Sequence, residues 1–165
     1  MADVKLEIQE RIGQLQAYFN DMGQTLALAE SCTGGLISGM IAELPGVSSF
    51  FEGSVVSYSG AVKEGTLGVL KSTIQCHGEV SRPVALEMAR GVRKQIGSDW
   101  SVSVTGIAGP TGGTPEKPVG TVCFAVVGPG FEKAVIQHFK SENRPEIQLE
   151  SARFAIEFLW DSINA

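Results

Sequence analysis

Thr25-Leu-Ala-Leu-Ala-Glu-Ser-Cys-Thr-Gly-Gly35, continued by Leu36-Ile-Ser-Gly-Met-Ile-Ala42, carries the plan of the molecule. The apolar run from Thr25 to Ala29 reads as a buried strand, and the spacing of apolar residues from Leu36 to Ala42 reads as a helix. Between them lies a polar turn with two adjacent glycines. A strand, a tight turn and a helix in that order aim backbone amides and one side chain at a ligand. Here that side chain is Ser31.

Working outward, Val4, Ile8, Ile12, Leu15 and Phe19 form one helical stripe over residues 3–22, and Gly23 ends it. Pro45-Gly46 breaks the helix after the turn. Phe51 to Tyr58 reads as a strand and Ala61 to Leu67 as a short helix carrying Lys63. Ser81 is placed as an N-cap with Pro83 in the first turn of a helix that runs to Ile96. Trp100 to Thr105 alternates like a strand and ends in the loop Gly106-Ile-Ala-Gly-Pro-Thr-Gly-Gly113. Val119 to Val127 and Phe131 to Phe139 read as a hairpin across Gly128-Pro-Gly130, and Pro145 to Ile163 as a closing amphipathic helix. No repeat or linker interrupts the chain. The order predicts one domain over residues 1–165: an α/β fold, a three-layer α/β/α sandwich with a mixed, mostly parallel sheet. Its early strands would be parallel and its late hairpin antiparallel.

Composition removes several classes of function. The chain has 165 residues, 43% of them apolar, enough for a real core. Its 13 Lys and Arg against 18 Asp and Glu leave a net charge of −5, which argues against a phosphate-tracking nucleic-acid binder. Three cysteines without a C-x-x-C pair argue for a reducing, cytoplasmic setting. The longest stretch without a charged residue, Trp100 to Pro115, is broken by Gly and Pro, so no membrane span is expected. His77 and His138 lie far apart, and no metal site is expected.

In open α/β sheets ligands gather at the carboxyl ends of strands. Three loops fall there: Glu30–Gly35, Tyr58–Lys63 and Thr105–Gly113. Ser31 reads either as an N-cap or as a nucleophile whose neighbouring amides, around Thr33 and Gly34, hold an oxyanion. Gly34 and Gly35 favour the second, since they let backbone approach a substrate. The turn is not the G-x-S-x-G elbow of serine hydrolases. A serine needs a base, and two isolated histidines support a Ser-His-Asp triad poorly. Lysine is the other candidate, and Lys63, just past a strand end, is the best placed; alone it reads equally as a solvated helix lysine. Cys32 is a rival nucleophile, because a thiol at a helix start ionises more easily. The loop Gly106–Gly113 matches neither dinucleotide nor P-loop spacing. Its amides, with those of Gly109 and Gly112 and the Thr105 hydroxyl, could cradle a phosphate or carboxamide, or the segment could be a plain connection.

Ala29-Glu-Ser-Cys-Thr-Gly-Gly35, Tyr58-Ser-x-x-x-Lys63 with Leu67-Gly-Val69, and Gly106-Ile-Ala-Gly-Pro-x-Gly-Gly113 followed by Lys117-Pro-Val-Gly-Thr121 together resemble the CinA C-terminal domain family. The likeness runs from about Thr25 to Leu159 and is strongest to the stand-alone, PncC-like members, which are nicotinamide mononucleotide (NMN) deamidases. The resemblance implies a three-layer α/β/α fold and a Ser/Lys amidohydrolase converting NMN and water to nicotinate mononucleotide and ammonia. It implies Ser31 as nucleophile, Lys63 as general base and Tyr58 beside them. Thr33, Gly34, Gly35, Thr105, Gly106, Gly109, Gly112, Gly113 and Arg144 would meet the substrate. No cofactor is implied. The metal-dependent pyrophosphatase domain that precedes this one in longer members is not expected here. Association into a homodimer or larger homo-oligomer is compatible with the family. The chain departs from the family pattern at Gly60, where Asn is usual. It departs again at Ser141-Glu-Asn-Arg144 with Gln148, where a Gly-Asp-Arg stretch and a second Arg are usual. A nucleotide-binding module without catalysis, and a hydrolase of another amide, are the alternative readings.

Overall fold

Residues 2–141 and 143–165 are described by the computed structural model; Met1 and Glu142, the latter within the Ser141–Arg144 stretch, lie outside the described residues. α1 (Ala2–Met22) buries the stripe Ile8, Ile12, Leu15 and Phe19. β1 (Leu26–Glu30) is buried along its whole length, as a central strand covered on both faces must be. Then come α2 (Leu36–Ala42), a 3-10 turn at Val47–Ser49 and β2 (Phe51–Val56). Three helices follow: α3 (Gly60–Leu67), α4 (Lys71–His77) and α5 (Arg82–Ile96). β3 (Trp100–Gly106), β4 (Thr121–Gly128), β5 (Phe131–His138) and α6 (Arg144–Ile163) complete the chain.

The five strands form one mixed sheet in the order β2-β1-β3-β4-β5. β1 runs parallel to both β2 and β3, and β3-β4 and β4-β5 are antiparallel, so β4 alone opposes the common strand direction. Leu26 and Leu28 share a core with α1, α2 and α6, while Ala27 and Ala29 face Val84, Met88 and Val92 of α5. The alternation in one strand therefore feeds two cores, and the sheet is covered on both sides. Among the described residues no helix is long and apolar enough to cross a membrane.

One element differs from expectation. α4 was not foreseen, because Lys71-Ser-Thr-Ile-Gln-Cys-His77 mixes poor helix formers with a single aliphatic residue. Tertiary contacts hold it: Glu87 accepts from the Leu70 amide at 2.8 Å and from the Thr73 hydroxyl at 2.7 Å. β3 alternates as expected of a strand, and its polar residues Ser101 and Ser103 are fully buried. Their hydroxyls donate to the Ala89 and Ala85 carbonyls of α5, which satisfies them without water.

Candidate active site

Glu30 closes β1 with a side chain that is 0% exposed. Its carboxylate accepts from the Gly35, Ile37 and Ser38 amides at 3.1, 3.2 and 2.8 Å, and from the Ser38 hydroxyl. A carboxylate at the positive end of a helix, holding amides that the helix leaves unpaired, is a strong local anchor. Glu30 thus does for α2 what Ser31 would have done as an N-cap; the cap position itself is Gly35, at φ 96°. The Ser31 amide is tied to the Val104 carbonyl at 2.9 Å, and Gln148 donates to the Cys32 carbonyl at 2.9 Å. With its backbone held from three sides, Ser31 keeps its hydroxyl for another partner.

That partner is Lys63. α3 starts at the N-cap Ser59, which accepts from the Val62 amide, and this sets Lys63 on the helix's inner face. Lys63 is 1% exposed, and its Nζ lies 3.0 Å from Ser31 Oγ and 2.9 Å from the Ser57 carbonyl. Glu79 Oε2 stands 3.5 Å away. Burial pulls the lysine below its ordinary proton affinity, and the Glu79 carboxylate opposes part of that fall. A buried amine that loses its proton becomes an acceptor, and the nearest hydroxyl it can accept from is Ser31.

A cleft of about 120 Å³ opens over the pair, lined among others by Tyr58, Glu79, Thr105, Gly106 and Arg144. Arg144, at the start of α6, donates to the Gly109 carbonyl at 2.8 Å and to the Tyr58 hydroxyl. It therefore bridges the loops after β2 and β3 and places a cation at the rim. Of the residues singled out in the sequence, Ser31, Tyr58, Lys63, Thr105, Gly106 and Arg144 meet at this cleft. Thr33, Gly34 and Gly35 do not line it, and the Thr33 side chain is buried behind the turn. The Gly34 amide donates to the Ser31 carbonyl and the Gly35 amide to Glu30, which engages two expected substrate donors in the fold itself. Cys32 and Thr33 are the turn amides that take part in none of these bonds. Thr105 lines the cleft, but its hydroxyl donates to the Glu79 carbonyl at 3.0 Å. Gly109 serves through its carbonyl. Gly113 borders a separate surface cavity beside Phe139 and Lys140, and Gly112 borders neither.

Sequence reading missed Glu30 and Glu79 as site residues, and marked Gln148 only as a departure from the family pattern. Glu30 had one signal, a carboxylate just ahead of a helix start. Glu79 had none, since only the tertiary fold brings residues 31, 63 and 79 together. The rival nucleophile is disfavoured: burial pushes the Cys32 thiol up to about 12, overriding its place in the turn. Among the described residues no three His, Cys, Asp or Glu side chains gather as a metal site would require.

Comparison with known proteins identifies the family of the chain. The model of the CinA C-terminal domain matches residues 8–163. A CinA-like protein of Anaeromyxobacter sp. (strain K) is 44% identical over 137 residues, which is 83% of this chain and 33% of that protein. A CinA-like protein of Syntrophotalea carbinolica is 46% identical over 147 residues, 89% of this chain and 35% of the relative. The chain thus spans about a third of the length of these curated relatives. Among solved structures, the competence/damage inducible protein CihA from Agrobacterium tumefaciens superposes with a TM-score of 0.93 at 37% identity, covering 95% of this chain and 96% of that one. The competence damage-inducible protein A from Klebsiella pneumoniae gives 0.91 at 28% identity, with 95% and 97% covered. With the family model matching nearly its whole length, the chain belongs to the CinA C-terminal domain family.

Proposed function

We propose that this domain is an amidohydrolase in which Ser31 and Lys63 form a nucleophile–base dyad, with NMN as substrate and nicotinate mononucleotide and ammonia as products. The observation that carries the reading is Lys63 Nζ at 3.0 Å from Ser31 Oγ, on a lysine that is 1% exposed and held below its ordinary proton affinity. A solvated lysine would be almost wholly protonated at neutral pH and could take no proton.

In the mechanism, neutral Lys63 accepts the Ser31 proton as Oγ attacks the carboxamide carbon. The Cys32 amide, which belongs to a residue lining the cleft and takes part in none of the turn's bonds, is the donor left to stabilise the oxyanion. Lys63 returns the proton to the departing nitrogen, and ammonia leaves. Water then gives a proton to Lys63 and attacks the acyl-serine; the proton passes to Ser31 Oγ as the ester breaks. The pyridinium charge of NMN makes the amide carbon more electrophilic. A cleft of about 120 Å³ is small beside the roughly 300–1,000 Å³ of whole-ligand pockets, so it takes the reacting amide while the ribose phosphate lies at the rim. Arg144 is the rim cation for that phosphate.

The test is ammonia release from purified protein given NMN, nicotinamide, NAD or glutamine in parallel. Release from NMN alone, lost in Ser31→Ala, is the expected result. Release only from another amide would keep the dyad and replace the substrate. NMN binding without any release would favour a binding module.

A further inference from the structure

We infer that Glu79 is a positioning residue that sets the pH range of the Ser31–Lys63 pair, and that the absence of a side chain at Gly60 is what lets it do so. The inference rests on the dyad reading above.

Glu79 enters the site from the segment between α4 and α5, whose backbone is fixed independently of the carboxylate. Lys117 Nζ donates to the His77 carbonyl at 2.6 Å and the Val80 carbonyl at 2.8 Å. The Ser81 hydroxyl donates to the Gly78 carbonyl at 3.0 Å, and the Thr105 hydroxyl holds the Glu79 carbonyl itself. From this fixed base the side chain, 47% exposed, reaches inward until Oε2 lies 3.5 Å from the buried Lys63 Nζ. Among the described residues it is the only carboxylate lining the cleft. The other groups around Lys63, among the described residues, offer no opposing charge. They are the Ser31 hydroxyl, the Ser57 carbonyl, a Cys32 thiol kept protonated by burial, the Tyr58 hydroxyl, and the Arg144 cation.

Room for the carboxylate comes from Gly60, the first residue of α3. A Cβ there would lie 2.8 Å from Glu79 Oε1 and 3.3 Å from its carboxyl carbon. Gly60 does not need a left-handed backbone, so its value at this position is the space it leaves. Any larger residue would have to displace the Glu79 carboxylate from this position while leaving its charge in the protein.

An opposite charge this close favours the protonated amine, so the pair becomes active only once the pH is high enough to overcome it. Removing the carboxylate should move activity toward lower pH. The Lys63 Cε resonance of the intact protein, assigned with Lys63→Met, reads this titration without any substrate. Its midpoint should fall by roughly one pH unit in Glu79→Gln, a moderate shift for a half-exposed partner. Gly60→Ala should move it the same way by a smaller amount, because it displaces the carboxylate and leaves the fold intact. The acid limb of the pH–rate profile for NMN should follow. An unmoved or raised midpoint in either variant would overturn the inference, whatever the activity assay shows. A shifted midpoint in a protein that releases no ammonia would uphold the Glu79–Lys63 coupling and overturn the deamidase reading instead.

Discussion

Two glycine-bearing loops flank the cleft, and they use glycine for opposite ends. In the Glu30–Gly35 turn, Gly34 has open space where a Cβ would stand, and the glycines let the chain fold so that Glu30 can reach three amides of α2. In the Gly106–Gly120 loop the glycines make room for packing. A Cβ at Gly106, Gly109 or Gly113 would run into Val122 or Val119, and one at Gly120 would sit 2.1 Å from the Phe139 carbonyl oxygen. The first loop is built around the Ser31 hydroxyl and its contact with Lys63, whereas the second is built to pack closely on its own strands. A glycine-rich sequence at a strand end therefore does not by itself mark a ligand cradle.

Substitutions that separate chemistry from packing test that contrast. Ser31→Ala should lower ammonia release from NMN at least about a thousandfold, a loss of about 4 kcal/mol of transition-state stabilisation, with the melting temperature nearly unchanged. Gly120→Ala should do the reverse. Its φ of 92° and the blocked Cβ position predict a loss of about 3 kcal/mol in a denaturant titration, with activity per folded molecule retained. Glu30→Gln stands between them. It removes the charged acceptor for the α2 amides, and should cost about 2 kcal/mol of stability and at least about tenfold in rate together. The pH–rate profile should rise about tenfold per unit as Lys63 loses its proton, and level off below the ordinary lysine value of about 10.4. The sign follows from the neutral amine being the active form and from burial lowering its proton affinity. Cys32→Ala should change the rate by less than about threefold, because a thiol raised to about 12 supplies no thiolate at neutral pH.

Much of the fold was legible because its signals are local. The α1 stripe, the buried run of β1, the Ser81 cap and the hairpin turn at Gly128-Pro-Gly130 each identify an element from a few adjacent residues. Ser31 and Lys63 were legible as candidates for the same reason, since both follow strand ends. Their pairing came from the family resemblance and not from the local pattern, because it depends on β1 and β2 lying side by side and on burial of α3's inner face. Glu79 is the clearest case of what stayed hidden: its meaning comes from a lysine 16 residues away and from the empty space at Gly60. Thr105 shows how a side chain at a strand end can line the cleft and still be engaged by the fold. Its position at a strand end suggested a substrate contact, yet it continues the row of Ser101 and Ser103 and is engaged by backbone as they are.

The central claim is that Ser31 attacks and Lys63 takes its proton. An activated aryl ester of nicotinate, small enough for the reacting end of the cleft, tests this most directly when the mixture is acid-quenched and the protein mass is read at short times. A single nicotinoyl adduct on Ser31, absent in Ser31→Ala and formed far more slowly in Lys63→Met, is the predicted result. An adduct on Cys32 or elsewhere, or one that forms on Ser31 equally fast without Lys63, would contradict the account.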